Sequence, residues 1–181
     1  MARIIQLQSE RLILRQWEDK DYSPFATINT DPEVMQYTPI ILSTEESNQF
    51  ADRLRDIIQS QGWGLWALEL KDTGEFIGYA GLHDIDSQLP FAPGIEIGWR
   101  LSKEHWGHGY ATEAAKEVLR FAFISLQLEK VYSFTSKLNV KSISVMEKIG
   151  MENTGANFNH PYIPENHKLA EHVLFYSINS N

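Results

Sequence analysis

Short runs of alternating apolar and polar residues, interleaved with longer runs at helical spacing, predict an α/β (α+β) domain built around one sheet. Three observations carry this prediction. Ile95 to Leu101 alternates as a strand should, with Ile95, Ile97, Trp99 and Leu101 on one side and Glu96, Gly98 and Arg100 on the other. Soon after comes Trp106-Gly107-His108-Gly109-Tyr110-Ala111-Thr112, then an amphipathic helical run with Ala114, Ala115, Val118, Leu119 and Ala122 on its apolar face. Lys71-Asp72-Thr73-Gly74-Glu75, between two strand-like runs, is a hairpin signal.

The remaining elements follow in chain order. Arg11 to Trp17 reads as a strand, with Leu12 and Leu14 on one face and Ile13 on the other. Asp19 to Asn29 suits a first helix, capped by Asp19 or Asp21, with Pro32 beyond its stop. Thr44 to Ser60 suits a second, with Thr44 as N-cap and Phe50, Leu54, Ile57 and Ile58 as its apolar stripe. Trp66 to Leu70 and Phe76 to His83 are the hairpin strands, and Ser87 to Pro93 is a surface loop. Val131 to Thr135 is a short strand, Lys141 to Ile149 a helix closed by Gly150, and Glu171 to Ile178 a terminal strand.

At 181 residues the chain is expected to form a single domain, 1–181, able to bury roughly 70% of the surface its unfolded form exposes. It contains no cysteine, which excludes disulfides, thiolate metal sites and a cysteine nucleophile. Any group transfer is therefore expected to be direct. The net charge of −8 argues against a nucleic-acid partner. An acidic rim would attract amines, although the excess acid also serves plain solubility. Met1 to Leu7 lacks the apolar core of a leader, and no 18-residue apolar run occurs, so a cytoplasmic protein without a membrane partner is expected. Oligomeric state, monomer or homodimer, is left open.

Strand, glycine turn and helix start together describe an anion cradle. Glycines let the backbone turn tightly, and the first N–H groups of a helix have no intrahelical partner. With the helix dipole added, phosphate is the natural occupant. A dinucleotide fold would want a third glycine where Thr112 stands, and a P-loop would want Gly-Lys-Ser/Thr, which is absent.

Gly107-His108-Gly109-Tyr110-Ala111-Thr112-Glu113-Ala114 resembles the acetyl-CoA pyrophosphate loop of the GNAT N-acetyltransferases, most of all the branch holding the ribosomal-protein N-terminal acetyltransferases. Ser9-Glu10-Arg11-Leu12 resembles the family's opening strand, and Glu96-Ile97-Gly98-Trp99 its fourth strand. Asn139-Val140-Lys141-Ser142, with Val145-Met146-Glu147-Lys148-Ile149-Gly150-Met151, resembles its second cofactor motif. The resemblance implies the GNAT acyl-CoA N-acyltransferase fold, a mostly antiparallel, twisted sheet flanked by helices, whose two central strands splay apart. It also implies acetyl transfer from acetyl-CoA to a primary amine, on a protein N-terminus or a small molecule, within a ternary complex. On that reading Gly107, His108, Gly109, Tyr110, Ala111 and Thr112 take the pyrophosphate. Ile97, Trp99 and Leu101 flank the pantetheine arm, and Asn139, Ser142 and Met146 lie along it.

Each assignment has a plainer alternative. His108 also reads as an exposed loop histidine, and Tyr110 and Trp106 as packing residues. Asn139 is a good N-cap whatever else it does. Ser142 is either a first-turn polar residue or, as in the resembling branch, the group that protonates the departing thiolate. Many relatives place a tyrosine where Met146 stands, and methionine donates no proton. A non-catalytic acyl-CoA-sensing module on the same fold is therefore the alternative function. Glu96 could deprotonate the amine, or merely pair with Arg100 or Lys103. His83 and Asp84 are weaker candidates for the same duty, and His160, in the Pro-rich segment from Phe158 to His167, is read as substrate-facing. The histidine spacing there matches no metal template, so no metal is expected.

Overall fold

The computed structural model describes residues 2–179. Met1, part of the stretch read for a leader, and the last two residues of the expected 1–181 domain lie outside them. One sheet organises the fold. Its strands are β1 (Leu7–Gln8), β2 (Leu12–Arg15), β3 (Leu65–Leu70), β4 (Phe76–Asp84), β5 (Ile95–Leu101), β6 (Lys130–Ser136), β7 (Glu152–Asn153), β8 (Phe158–Asn159) and β9 (Glu171–Ile178). They pair in the order β1-β2-β3-β4-β5-β6-β9-β7, with β8 also against β9. Every pairing is antiparallel except β5 with β6.

Among the described residues four α-helices flank the sheet: α1 (Tyr22–Thr30), α2 (Thr44–Gln61), α3 (Tyr110–Ile124) and α4 (Val140–Lys148). On one face α1 and α2 pack together, and Phe25 and Phe50 seat their rings against Tyr79 of β4. On the other, α3 lies across β4 and β5, with Phe121 edge-on to Trp66. The apolar stripes read from sequence supply both layers, since Leu54, Ile58, Ala114, Ala115, Val118 and Ala122 are all buried. Among the described residues no helix is long and apolar enough to cross a membrane.

Boundaries differ from expectation where side chains compete for the backbone. The first helix begins as a 3-10 turn over Asp19–Asp21, because Asp21 turns inward instead of capping in solvent. Asp21 is fully buried, held bidentate by Arg15 at 2.7 and 2.9 Å, and accepts from the N–H of Glu18. The N-cap of α2 is Ser43 rather than Thr44. Its Oγ accepts from the N–H of Glu46 while the Glu46 carboxylate accepts from the N–H of Ser43, a reciprocal box that Thr44 could not complete with Ser47. The two-residue strands β1, β7 and β8 were not foreseen, being too short for any periodic signal.

Candidate active site

The cradle forms as its residues dictate. Gly107 and Gly109 take φ of +78° and +81°, the left-handed region that suits glycine. Gly109 is the N-cap of α3 and has no side chain to satisfy the helix's first donors, so they are left for a ligand. Glu113, in that first turn, has its charge compensated within the protein. It accepts from Ser9 Oγ at 2.6 Å and from the N–H and Nε of Arg11, both at 2.7 Å. Burial opposes its charge, but these donors outweigh it and hold its carboxyl below the usual range. The Arg11 guanidinium lies 4.5 Å over the Tyr110 ring, His108 stacks on the same ring, and Lys141 Nζ sits 3.8 Å over Trp106.

Beside the cradle the sheet opens. Strands β5 and β6 share one register pair, Glu96 with Tyr132, and Ser133 Oγ donates to the Ile97 carbonyl at 3.0 Å just beyond it. Main-chain groups alternate sides along a strand, so the Ile97 carbonyl fixes which ones face β6. The next such residue is Trp99, whose N–H and C=O reach the cleft where no strand lies alongside.

Across the opening, Asn139 caps α4, its Oδ1 accepting from the N–H of Ser142 at 3.2 Å. Its amide donates to Thr135 Oγ1 at 3.0 Å and to Ser142 Oγ at 3.1 Å. Both amide hydrogens of Asn139 are thus committed within the protein. Ser142, which accepts from it, keeps its own hydroxyl hydrogen to donate. Met146 is 1% exposed and lends the wall an apolar, non-donating surface.

Glu96 pairs neither with Arg100 nor with Lys103. The antiparallel register sets it opposite His83, whose Nε2 lies 3.2 Å from the Glu96 carboxylate. Burial pushes the Glu96 carboxyl up, against the pull of His83. Burial also opposes charge on His83, but the Glu96 carboxylate outweighs it and the net shift is upward. His83 Nδ1 is 3.1 Å from the carbonyl of Asp84, which can only accept, so Nδ1 carries hydrogen. The Nε2–carboxylate contact then also holds a proton, and losing it leaves a basic pair.

These pieces line one cleft of about 880 Å³. Every residue assigned from sequence to the donor side lies on its wall, as do Glu96 and His83. Asp84 and His160 do not: Asp84 ends β4 exposed, and His160 packs among Phe134, Tyr162 and His172 outside the lining. Sequence reasoning missed Arg100, Lys141 and Lys148, the only lysines and arginines among the described lining residues, and the α1–α2 wall from Glu33 to Thr38. Outside the motifs, Glu75, Glu104 and His105 bring possible metal-ligating atoms within 4.8 Å of one another.

Backbone donors at a helix start, an unpaired strand edge and a proton-sharing pair suit a phosphate-bearing acyl carrier. Residues 11–152 match the family model described as "Acetyltransferase (GNAT) domain". An uncharacterised Bacillus subtilis protein, YkkB, is 34% identical over 146 residues, 80% of this chain and 84% of the relative. A GNAT acetyltransferase structure from Bacillus anthracis superposes with a TM-score of 0.82 at 24% identity, covering 98% of this chain and all of that one. The Vibrio cholerae spermidine N-acetyltransferase, solved with CoA and spermine, superposes with a TM-score of 0.73 at 21% identity, covering 94% and 96% of the two chains. The family model spans most of the chain and the solved structures share its fold, and the chain belongs to the GNAT acetyltransferase family.

Proposed function

We propose that the chain acts as a single catalytic domain, in the cytoplasm, that moves an acetyl group from acetyl-CoA directly to a primary amine. The observation that carries this reading is the continuity of one cleft, with anion donors at Gly107–Thr112, an open strand edge at Trp99 and a proton-sharing pair at Glu96–His83. Acetyl-CoA supplies an activated thioester. The first N–H groups of α3 would hold its pyrophosphate, with Lys141 adding charge. The edge of β5 would align its amide arm as an extra strand, with the Trp99 N–H available to polarise a carbonyl.

The amine acceptor is protonated at neutral pH and attacks only after losing a proton. The Glu96–His83 pair, in its basic form, takes that proton. Ser142, with its hydroxyl hydrogen uncommitted, would protonate the leaving sulfur, since Met146 has no proton to give. Holding both substrates in one cleft supplies much of the acceleration through proximity.

Thiol release from acetyl-CoA across an amine panel, run beside calorimetric binding of acetyl-CoA, tests the reading. Binding with thiol release that depends on an amine supports it. Binding without turnover on any amine favours the acyl-CoA-sensing alternative, which the non-donating Met146 would suit.

A further inference from the structure

Arg100 is the one arginine among the described residues of the cleft lining. Alternation along β5 puts it on the face of Glu96 and Gly98, opposite Tyr79 of β4 and under α1 and α2. Its guanidinium lies 5.5 Å from the Tyr79 ring centroid, and Nη1 donates to Asn29 Oδ1 at 2.8 Å. Asn29 is fully buried and in turn donates to Ser47 Oγ, also fully buried, at 2.9 Å. A relay through two helices therefore fixes where this arginine points.

No carboxylate reaches it. Arg11, Arg15, Arg55 and Arg120 each hold an acidic partner at 2.6 to 2.8 Å, whereas Arg100, like Arg3 and Arg53, has none among the described residues, and of these three it alone lines the cleft. This is in a chain of net charge −8. The carboxylates in the cleft lining are Glu33 and Glu96, already paired with Lys103 and His83. A guanidinium has five N–H donors, and Asn29 takes one, so a planar fork is left facing the cleft. Arg100 is half-buried, so its guanidinium is partly desolvated with no counter-charge, and an anionic ligand would supply one.

We propose that Arg100 recognises the acceptor, and that the acceptor is a small amine carrying a carboxylate or phosphate group. This rests on the acetyltransferase reading above. Both anions match the bidentate geometry of the guanidinium. Arg100 lies four residues, about 13 Å, along the strand from Glu96. The anionic group therefore sits several bonds from the amine that Glu96 and His83 deprotonate. A purely cationic amine would meet Arg100 as a like charge.

The test pairs acceptors that differ only in the anion. Amino acids are compared with their decarboxylated amines, aminoalkyl phosphates with the matching amino alcohols, and spermidine serves as the cationic control. Wild type is expected to favour the anion-bearing member by about tenfold or more in kcat/KM, equivalent to about 1.4 kcal/mol. The carboxylate and phosphate arms identify which anion is read. Arg100→Met should abolish the preference, through loss on the anionic member alone, with the KM for acetyl-CoA unchanged. Arg100→Lys, which keeps the Asn29 contact within reach, should retain part of it. The preference is a ratio measured on one preparation, so partial misfolding does not distort it. Acetylation with no preference for anionic acceptors, a preference that survives Arg100→Met, or a raised acetyl-CoA KM in that variant overturns the Arg100 assignment alone. Acetylation of neither class overturns the acetyltransferase reading and this proposal with it.

Discussion

Arg11 Nε meets the Glu113 carboxylate at 2.7 Å, which ties the start of β2 to the first turn of α3. The contact explains why Ser9-Glu10-Arg11 and the Glu113 of the loop occur in one chain: the first segment neutralises the second. Without Arg11, Glu113 would present a bare negative charge beside the cradle. Arg11→Met is therefore expected to weaken acetyl-CoA binding by a few fold, and more at low salt than at high. Because Arg11 is 44% exposed, screening limits the effect. Calorimetry at two ionic strengths measures it, and no change at either would show that Ser9 and the backbone suffice.

Gly109 tests whether the cradle works through its backbone. At φ +81° a valine is strained, so Gly109→Val should displace the first turn of α3 and weaken acetyl-CoA binding about tenfold, or about 1.4 kcal/mol. His108→Ala should cost much less, because its ring is stacked on Tyr110. A larger loss from the histidine change, seen calorimetrically, would move recognition to the side chain.

The Glu96–His83 pair predicts a pH signature in both activity and stability. The upward shift of His83 places the acid limb of kcat above the ordinary histidine value of 6.5. Glu96→Gln removes the carboxylate that raises it, so the limb should move to lower pH while the plateau falls by roughly 10²-fold. Both groups have folded-state pKa values raised above their unfolded ones. Their contribution to stability is thus present below the unfolded values and lost as pH rises through the folded ones. The melting temperature should accordingly decline from about pH 4.5 through the Glu96 contribution and further above about pH 6.5 through that of His83, and Glu96→Gln should remove the first part of the decline. Parallel pH profiles for wild type and variant would remove the pair from the mechanism.

Ser142 and Met146 decide how the sulfur leaves. Ser142→Ala is expected to slow single-turnover acetyl transfer by up to about 10²-fold. Adding Met146→Tyr should restore part of the rate if the phenol reaches the sulfur. Equal single-turnover rates in all three proteins would show that the thiolate leaves without a protein acid.

Asp21 supplies a prediction about the fold alone. Asp21→Ala strands Arg15, whose Nη1 and Nη2 it now holds, leaving Glu69, the carbonyl of Gln16 and, at 3.8 Å, the half-exposed Glu18 as partners. Breaking a buried pair on one side costs about 3–5 kcal/mol. Urea melts should show the loss in the midpoint, and a loss below about 1 kcal/mol would mean that Glu69 takes over.

The sheet core and the cradle were legible because they write themselves in periodic or fixed-spacing code: alternation in β5, helical spacing in α3, glycines at 107 and 109. What depends on register was not. Nothing in the spacing of His83 and Glu96 shows that β4 and β5 align them, so Arg100 and Lys103 looked like equal partners for the carboxylate. Arg100 itself reads as an ordinary solvated strand residue until α1 brings Asn29 to it. Asp84 was nominated by its place at the end of a strand and His160 by its Pro-rich loop, and neither the end of β4 nor the segment after β8 reaches the cleft wall. Thr44 was read as the cap of α2 because the reciprocal bonds between Ser43 and Glu46 that settle the start appear only in the folded chain.

The single register pair between β5 and β6 has a consequence for solubility and dynamics. A bare strand edge at the rim of a sheet invites pairing with other chains. Here the unzipped edge is interior, where the α1–α2 wall and α4 stand guard against any intruding strand, while a slender ligand can thread in. Trp99 and its neighbours should then exchange their amide hydrogens quickly in the empty protein and slowly once the cleft is filled, so that the ligand completes the sheet as a missing strand would.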